Sequence, residues 1–190
     1  SAVPGHSRVT MAVGDSITLG GGPVPAVGGY RAPLFTANPG MAIKGSLFSV
    51  GYCDGYSGLR IDEISPIVLP VVPFFAPSLI LLMAGTNDIN QGESGAATFT
   101  EIQNFAIALK AIAGVDHVIV STICWLNAFQ SVQAAYNASI LAWSPPAGIT
   151  VTDATSTIIF PTDFADALHP NTAGYAKMAV GWNPAVSALL

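Results

Sequence analysis

The sequence predicts an α/β fold in which a parallel sheet is covered by helices on both faces. Short apolar runs recur along the chain, and segments with helical spacing of apolar residues fall between them. Polar residues with chemical potential gather just after the runs. Strands buried on both faces read as near-continuous apolar runs, and alternation of strand with helix is the pattern of parallel sheets. At 190 residues the chain is read as one domain, residues 1–190, with no internal repeat, low-complexity tract or linker to divide it.

Each element follows from its own stretch. Residues 9–13 are the first strand, ended by Gly14, which permits a tight turn. The second strand is read at residues 47–51 and is followed by a short helix at 60–69. The apolar stretch 64–84 carries Pro66, Pro70, Pro73 and Pro77, which would break a spanning helix repeatedly. It reads as a helix, a proline-rich turn and a buried third strand at 79–84, so membrane insertion is not expected. Residues 101–110 are the clearest helix. Strands at 118–124 and 149–153 and helices at 129–143 and 172–190 complete the series.

Composition narrows the function. Charged residues are 9% of the chain, against roughly 25% in ordinary soluble domains. Net charge is −5 with six Lys or Arg, so the basic patch needed for nucleic acid or an anionic membrane surface is missing. A surface finished with small polar groups fits a secreted or extracellular protein acting on neutral substrates. Cys53 and Cys124 belong to no CxxC or Cys/His cluster, so no zinc site is indicated. They read either as a disulfide or as two buried thiols.

In open parallel sheets, ligands bind beyond the carboxyl ends of the strands. Gly14-Asp15-Ser16 follows the first run, Gly55-Tyr56-Ser57-Gly58 the second and Gly85-Thr86-Asn87-Asp88 the third, so all three should share one rim. Ser16 reads either as a helix N-cap or as a nucleophile. Its surroundings are neither a GxSxG elbow nor a phosphate loop. Of three histidines, His6 lies at the N-terminus and His117 reads as a surface imidazole at a strand start. His169, three residues after Asp166, reads either as a satisfied loop histidine or as a general base held by that carboxylate. Asn87 reads as a turn residue or as a side-chain donor to an oxyanion, and a glycine at 58 lets a backbone N–H approach a ligand. Asn137-Ala138-Ser139 fits the glycosylation pattern, but in a predicted helix it is uninformative.

Taken together, Ser16 in Gly-Asp-Ser, Gly58, Asn87 in Gly-Thr-Asn-Asp and His169 in Asp-Ala-Leu-His-Pro resemble the four signature residues of the SGNH, or GDSL-type, hydrolase family, in its order. The resemblance implies a flavodoxin-like three-layer α/β/α sandwich with a five-stranded parallel sheet ordered 2-1-3-4-5. In that order the strands near Cys53 and Cys124 are separated by two others, a gap of roughly 14 Å, which implies free thiols. It also implies Ser16 as nucleophile, His169 as base, Asp166 as its partner, and an oxyanion hole of Ser16, Gly58 and Asn87, with Gly55 the alternative glycine. No cofactor or metal is implied, and Asp15 is expected to be structural. Gly28-Gly29-Tyr30-Arg31 and the stretch Gly55-Tyr56-Ser57-Gly58-Leu59-Arg60-Ile61 are similar to the acetyl xylan esterase branch, with Tyr56 where that branch carries histidine. The expected substrate is a short acyl ester, acetyl above all, small or on a polysaccharide. The loop at residues 20–28 is expected to border the acyl side. The alternatives are a lipase or thioesterase for longer chains, and a non-catalytic carbohydrate-binding module on the same fold.

Overall fold

Strand β1 (Arg8–Gly14) is the hub of the sheet, because strands pair along both of its edges. The chain is described by a computed structural model over residues 8–22, 28–48 and 51–190. His6 and residues 23–27 of the expected acyl-side loop lie outside the described residues.

On one edge β1 pairs in parallel with β5 (Leu79–Met83), which pairs with β6 (His117–Ser121), which pairs with β7 (Ile149–Thr152). All five residues of β5 are fully buried, as a central strand covered on both faces requires. The other edge departs from expectation. The second strand is divided: β2 (Met41–Lys44) pairs with the first half of β1, and β4 (Tyr52–Gly55) pairs with its last two residues. Between them β3 (Leu47–Phe48) turns back and pairs antiparallel with β4. Of the strand expected at 47–51, Ser49 and Val50 lie outside the described residues and the first two residues are corrected to this edge piece; among the described residues the sheet has seven strands rather than five. Phe48 is 74% exposed, so the apolar run that suggested a buried strand lies partly at the surface. Counting β2 and β4 as one broken strand restores the order 2-1-3-4-5.

Helices cover the sheet in two groups. Helix α2 (Arg31–Ala37) packs against α8 (Thr172–Ser187), and the Tyr30 and Trp182 rings stack between them at 5.5 Å. Helix α3 (Ile61–Val68) packs against α6 (Gly95–Lys110), which packs against α7 (Gln130–Ala142). Short helices α1 (Ser16–Leu19), α4 (Val72–Phe75) and α5 (Thr86–Asn90) follow β1, α3 and β5. The expected proline-rich turn is thus partly helical, with Pro73 in the first turn of α4, where its missing N–H costs nothing. Cys53 and Cys124 are buried free thiols. Asn137 in α7 donates to Ile123 O at 2.9 Å and accepts from Ile123 N at 3.0 Å, so its amide is engaged with the backbone. Among the described residues, no helix is long and apolar enough to cross a membrane.

The register decides where the loops meet. Gly14 lies level with Met83 of β5 and Gly55 of β4. Three neighbouring strands therefore end together, about 4.8 Å apart, and the segments after them share one rim.

Candidate active site

The turn that carries Ser16 depends on close backbone packing. A Cβ on Gly14 would lie 1.9 Å from Met83 O and 2.4 Å from Thr18 Oγ1, so any side chain would force β1 and β5 apart. Asp15 caps α1 by accepting from Ile17 N at 2.9 Å, which leaves Ser16 as the first helical residue. Burial pushes the Asp15 carboxyl up to about 6 from the usual 3.8, against the lowering pull of the Ile17 N–H. Asp15 is thus a buried cap, as expected of a structural residue.

Ser16 and His169, 153 residues apart, meet on this rim. Ser16 Oγ lies 3.0 Å from His169 Nε2, and His169 Nδ1 lies 2.9 Å from Asp166 Oδ2. Since a carboxylate can only accept, Nδ1 carries the proton and Nε2 offers its lone pair to the serine hydroxyl. Asp166 Oδ1 accepts two backbone N–H groups, from Leu168 at 2.7 Å and His169 at 2.6 Å. Burial raises this carboxyl, but the His169 backbone, its ring and the Leu168 N–H together outweigh it and hold Asp166 below the usual range. The pair stays open to solvent, with the Asp166 side chain 37% exposed and that of His169 21%.

The loop that carries His169 is laced from both ends. Phe164 and Pro170 form an isolated bridge, and Ala165 N donates to His169 O at 2.8 Å. Asn171 caps α8 by accepting from Gly174 N at 3.0 Å, while its amide donates to Thr162 O at 2.9 Å. Buried Asp163 accepts from Ile159 N at 2.8 Å and from Lys177 Nζ at 2.6 Å. Asp163 and Asn171 carry no sequence signal beyond a turn composition, so their supporting role emerges only from the contacts.

Asn87 and Gly58 sit on the same rim. Asn87 Nδ2 donates one proton to Leu59 O at 2.8 Å and keeps its second N–H, and Gln91 Nε2 donates to Gly58 O at 3.3 Å. Gly58 has φ +80°, a left-handed conformation that favours glycine, with open space where a Cβ would stand. At Gly55 the same atom would fall 2.5 Å from Leu19 N and 3.0 Å from Asp15 O. Gly55 is thus small because α1 packs on it, and Gly58 because its backbone demands it.

Two further residues shape the site. Arg31, 1% exposed, donates to Thr18 O (2.9 Å), Leu19 O (3.1 Å), Gly51 O (3.2 Å) and Tyr52 O (2.9 Å). It clamps the Ser16 turn to β4, a role hidden in the Gly-Gly-Tyr-Arg signal. Tyr175 of α8 donates to Gly21 O at 2.8 Å, and a Cβ on Gly21 would lie 3.3 Å from Ser16 Cβ and 3.5 Å from the His169 ring. The described start of the expected acyl-side loop therefore lies against the Ser16–His169 pair.

Comparisons with known proteins bear on the family and the fold. The sequence model of the GDSL-like Lipase/Acylhydrolase family matches residues 12–177. No curated protein sequence is significantly similar to the chain. Among solved structures, a family 3 carbohydrate esterase of Clostridium thermocellum superposes with a TM-score of 0.79 at 23% identity, covering 96% of each chain. An acetyl esterase variant with an acetate ion gives 0.79 at 19% identity, over 96% of this chain and 97% of that one. A lipolytic protein of the G-D-S-L family from Veillonella parvula gives 0.77 at 24%, over 95% and 98%. These three share the fold.

Proposed function

Because the chain belongs to the GDSL-like lipase/acylhydrolase family, and is on that ground a carboxylic ester hydrolase, we propose that its single domain hydrolyses short-chain acyl esters through an acyl-enzyme on Ser16. The observation that carries this reading is the hydrogen-bonded line from Ser16 Oγ through His169 to Asp166, at 3.0 and 2.9 Å.

In the proposed reaction, Ser16 Oγ attacks the ester carbonyl while His169 Nε2 takes its proton. Asp166 holds the imidazolium that forms. Negative charge moves onto the carbonyl oxygen, where three donors meet it: the backbone N–H of Ser16, the backbone N–H of Gly58 and the free N–H of Asn87. The Ser16 N–H lies in the first turn of α1, where backbone donors have no intrahelical partner. Aiming fixed donors at this developing charge is worth about 3 kcal/mol each. His169 then protonates the departing alcohol oxygen. A water gives up its proton to His169 and attacks the acyl carbonyl; the bond to Ser16 Oγ then breaks, His169 returns the proton to that oxygen, and the carboxylic acid leaves.

Acetyl is the favoured acyl group and a polysaccharide the favoured carrier. The crowding of Gly21 against Ser16 and His169 supports a small acyl group. Relatives of the same fold are an acetyl esterase and a carbohydrate esterase, which supports the carrier by analogy. The sparse charge of the chain supports action outside the cell on a neutral substrate. One observation favours longer acyl chains instead: Phe164, beside the His169 loop, continues through Phe160 to Trp125 as a run of ring contacts, 5.3 and 6.2 Å apart. A panel of p-nitrophenyl esters from acetate to palmitate, run beside acetylated xylan, tests the proposal. Highest kcat/KM on acetate with acetate release from the polymer is expected, and a maximum on palmitate would reverse it. Ser16→Ala should abolish hydrolysis and fluorophosphonate labelling while keeping the fold. A wild-type protein that takes no label would instead be the non-catalytic binding module.

A further inference from the structure

Behind the oxyanion segment lies a group of acids that the ester reaction does not use. Asp62 comes from α3, Asp88 from α5 and Glu101 from α6, and one carboxyl oxygen of each lies within 4.8 Å of the others. Asp88 is fully buried. Its Oδ1 accepts from Ile61 N at 3.0 Å, whereas its Oδ2 is buried without a donor. Glu101 Oε2 is also buried without a donor. A buried carboxylate oxygen that accepts nothing is costly, and two of them in one group more so.

The nearby positive charge does not settle this account. Arg60 Nη2 binds Glu93 at 3.0 Å and Arg60 Nε lies 3.3 Å from Asp62 Oδ1. One guanidinium thus faces four carboxylates, those of Asp62, Asp88, Glu93 and Glu101. The inner oxygens of Asp88 and Glu101 face each other, so they share a proton or meet a cation that reaches them directly.

We propose that Asp62, Asp88 and Glu101 bind a divalent cation of calcium size. Three oxygens no more than 4.8 Å apart share a point within about 2.8 Å of each, so small side-chain rotations reach the 2.3–2.6 Å of Ca²⁺ coordination. The 2.0–2.1 Å and strict octahedron of Mg²⁺ demand larger movement. Calcium takes six to eight oxygens, and the surroundings can supply the rest. Asp62 and Glu101 line a surface cleft of about 300 Å³ that Ser65 and Asn104 also line, with room for water. The ion ties three helices together. Asp88 follows Asn87, and Asp62 lies four residues after Gly58, so the site braces the segments that carry both proposed oxyanion donors.

The test uses the whole protein, stripped with EDTA, dialysed, and titrated with CaCl₂ by calorimetry and by thermal melting. One ion should bind per chain, more tightly than Mg²⁺ from MgCl₂, and raise Tm by about 3–5 °C at ten times Kd. Glu101→Gln and the exposed Asp62→Asn should each weaken binding at least about tenfold. Neither measurement depends on esterase activity, so failure here is separate from failure of the ester reading. No heat and no Tm shift up to about 10 mM CaCl₂ would overturn the proposal, with the acids then holding a shared proton instead. Wild-type affinity in both variants would overturn it as well.

Discussion

Replacing Asp15 with Asn should change how stability depends on pH, and the structure sets the size of the change. Asp15 is fully buried and caps α1 through Oδ1, while its Oδ2 is buried without a donor. Burial lifts the carboxyl from 3.8 to about 6. The folded chain therefore holds this proton more tightly than the unfolded chain does. Its contribution to stability is full below pH 3.8 and is lost as pH rises through about 6. At about 1.4 kcal/mol per pH unit, that interval is worth about 3 kcal/mol. Asparagine keeps the capping oxygen and cannot ionise, so the variant lacks this loss. Urea unfolding followed by tryptophan fluorescence, from about pH 4 to about pH 7.5, gives both stability curves. The wild type should lose about 2.5 kcal/mol relative to Asp15→Asn across that range. A constant offset would refute the reasoning, because it would mean that Asp15 ionises in the fold as it does in water.

Asp166→Asn should cost about 10²–10⁴ in kcat with little change in Tm, since it leaves His169 without the acceptor that selects its tautomer; steady-state kinetics beside a thermal melt reads both. Asn87→Ala should lower kcat by about 10²–10³ and change KM little, because its free N–H meets charge that exists only as the reaction proceeds. A loss confined to KM would make Asn87 a binding residue. Arg31→Lys should cost about 3 kcal/mol or more in urea unfolding, because one ammonium cannot span carbonyls that a planar fork reaches in four directions.

Much of the site is legible in the chain itself. Ser16, Asn87, Asp166 and His169 stand in short motifs that can be read from a few neighbouring residues each. Asp15 is readable as structural because His169 already has a carboxylate partner. The strands of the core are legible for a different reason. Residues 79–83 are apolar throughout, and only a strand buried on both faces tolerates that. The broken second strand is not legible, because two to four residues of each piece are too short to show a period, and Phe48 is apolar yet exposed. Nor is the choice between Gly55 and Gly58, since both are glycines in one short stretch. Only their surroundings separate them: α1 packed against one, a left-handed backbone at the other.

The sequence by itself determined the kinds of group available and the ends of strands at which they stand. A serine after the first strand, an amide after a later strand and an Asp–x–x–His pair near the C-terminus follow from local pattern, because turns and caps are local chemistry. Only the tertiary structure decided that the serine meets the Asp–x–x–His pair and that the amide shares their rim. Parallel pairing places Gly14, Gly55 and Met83 at one level, and a laced loop carries His169 to within 3.0 Å of Ser16 across 153 residues. It alone also drew Asp62, Asp88 and Glu101 into one group, from three helices whose sequences show no common motif. Such contacts depend on register and on the packing of distant elements, which no window of sequence contains.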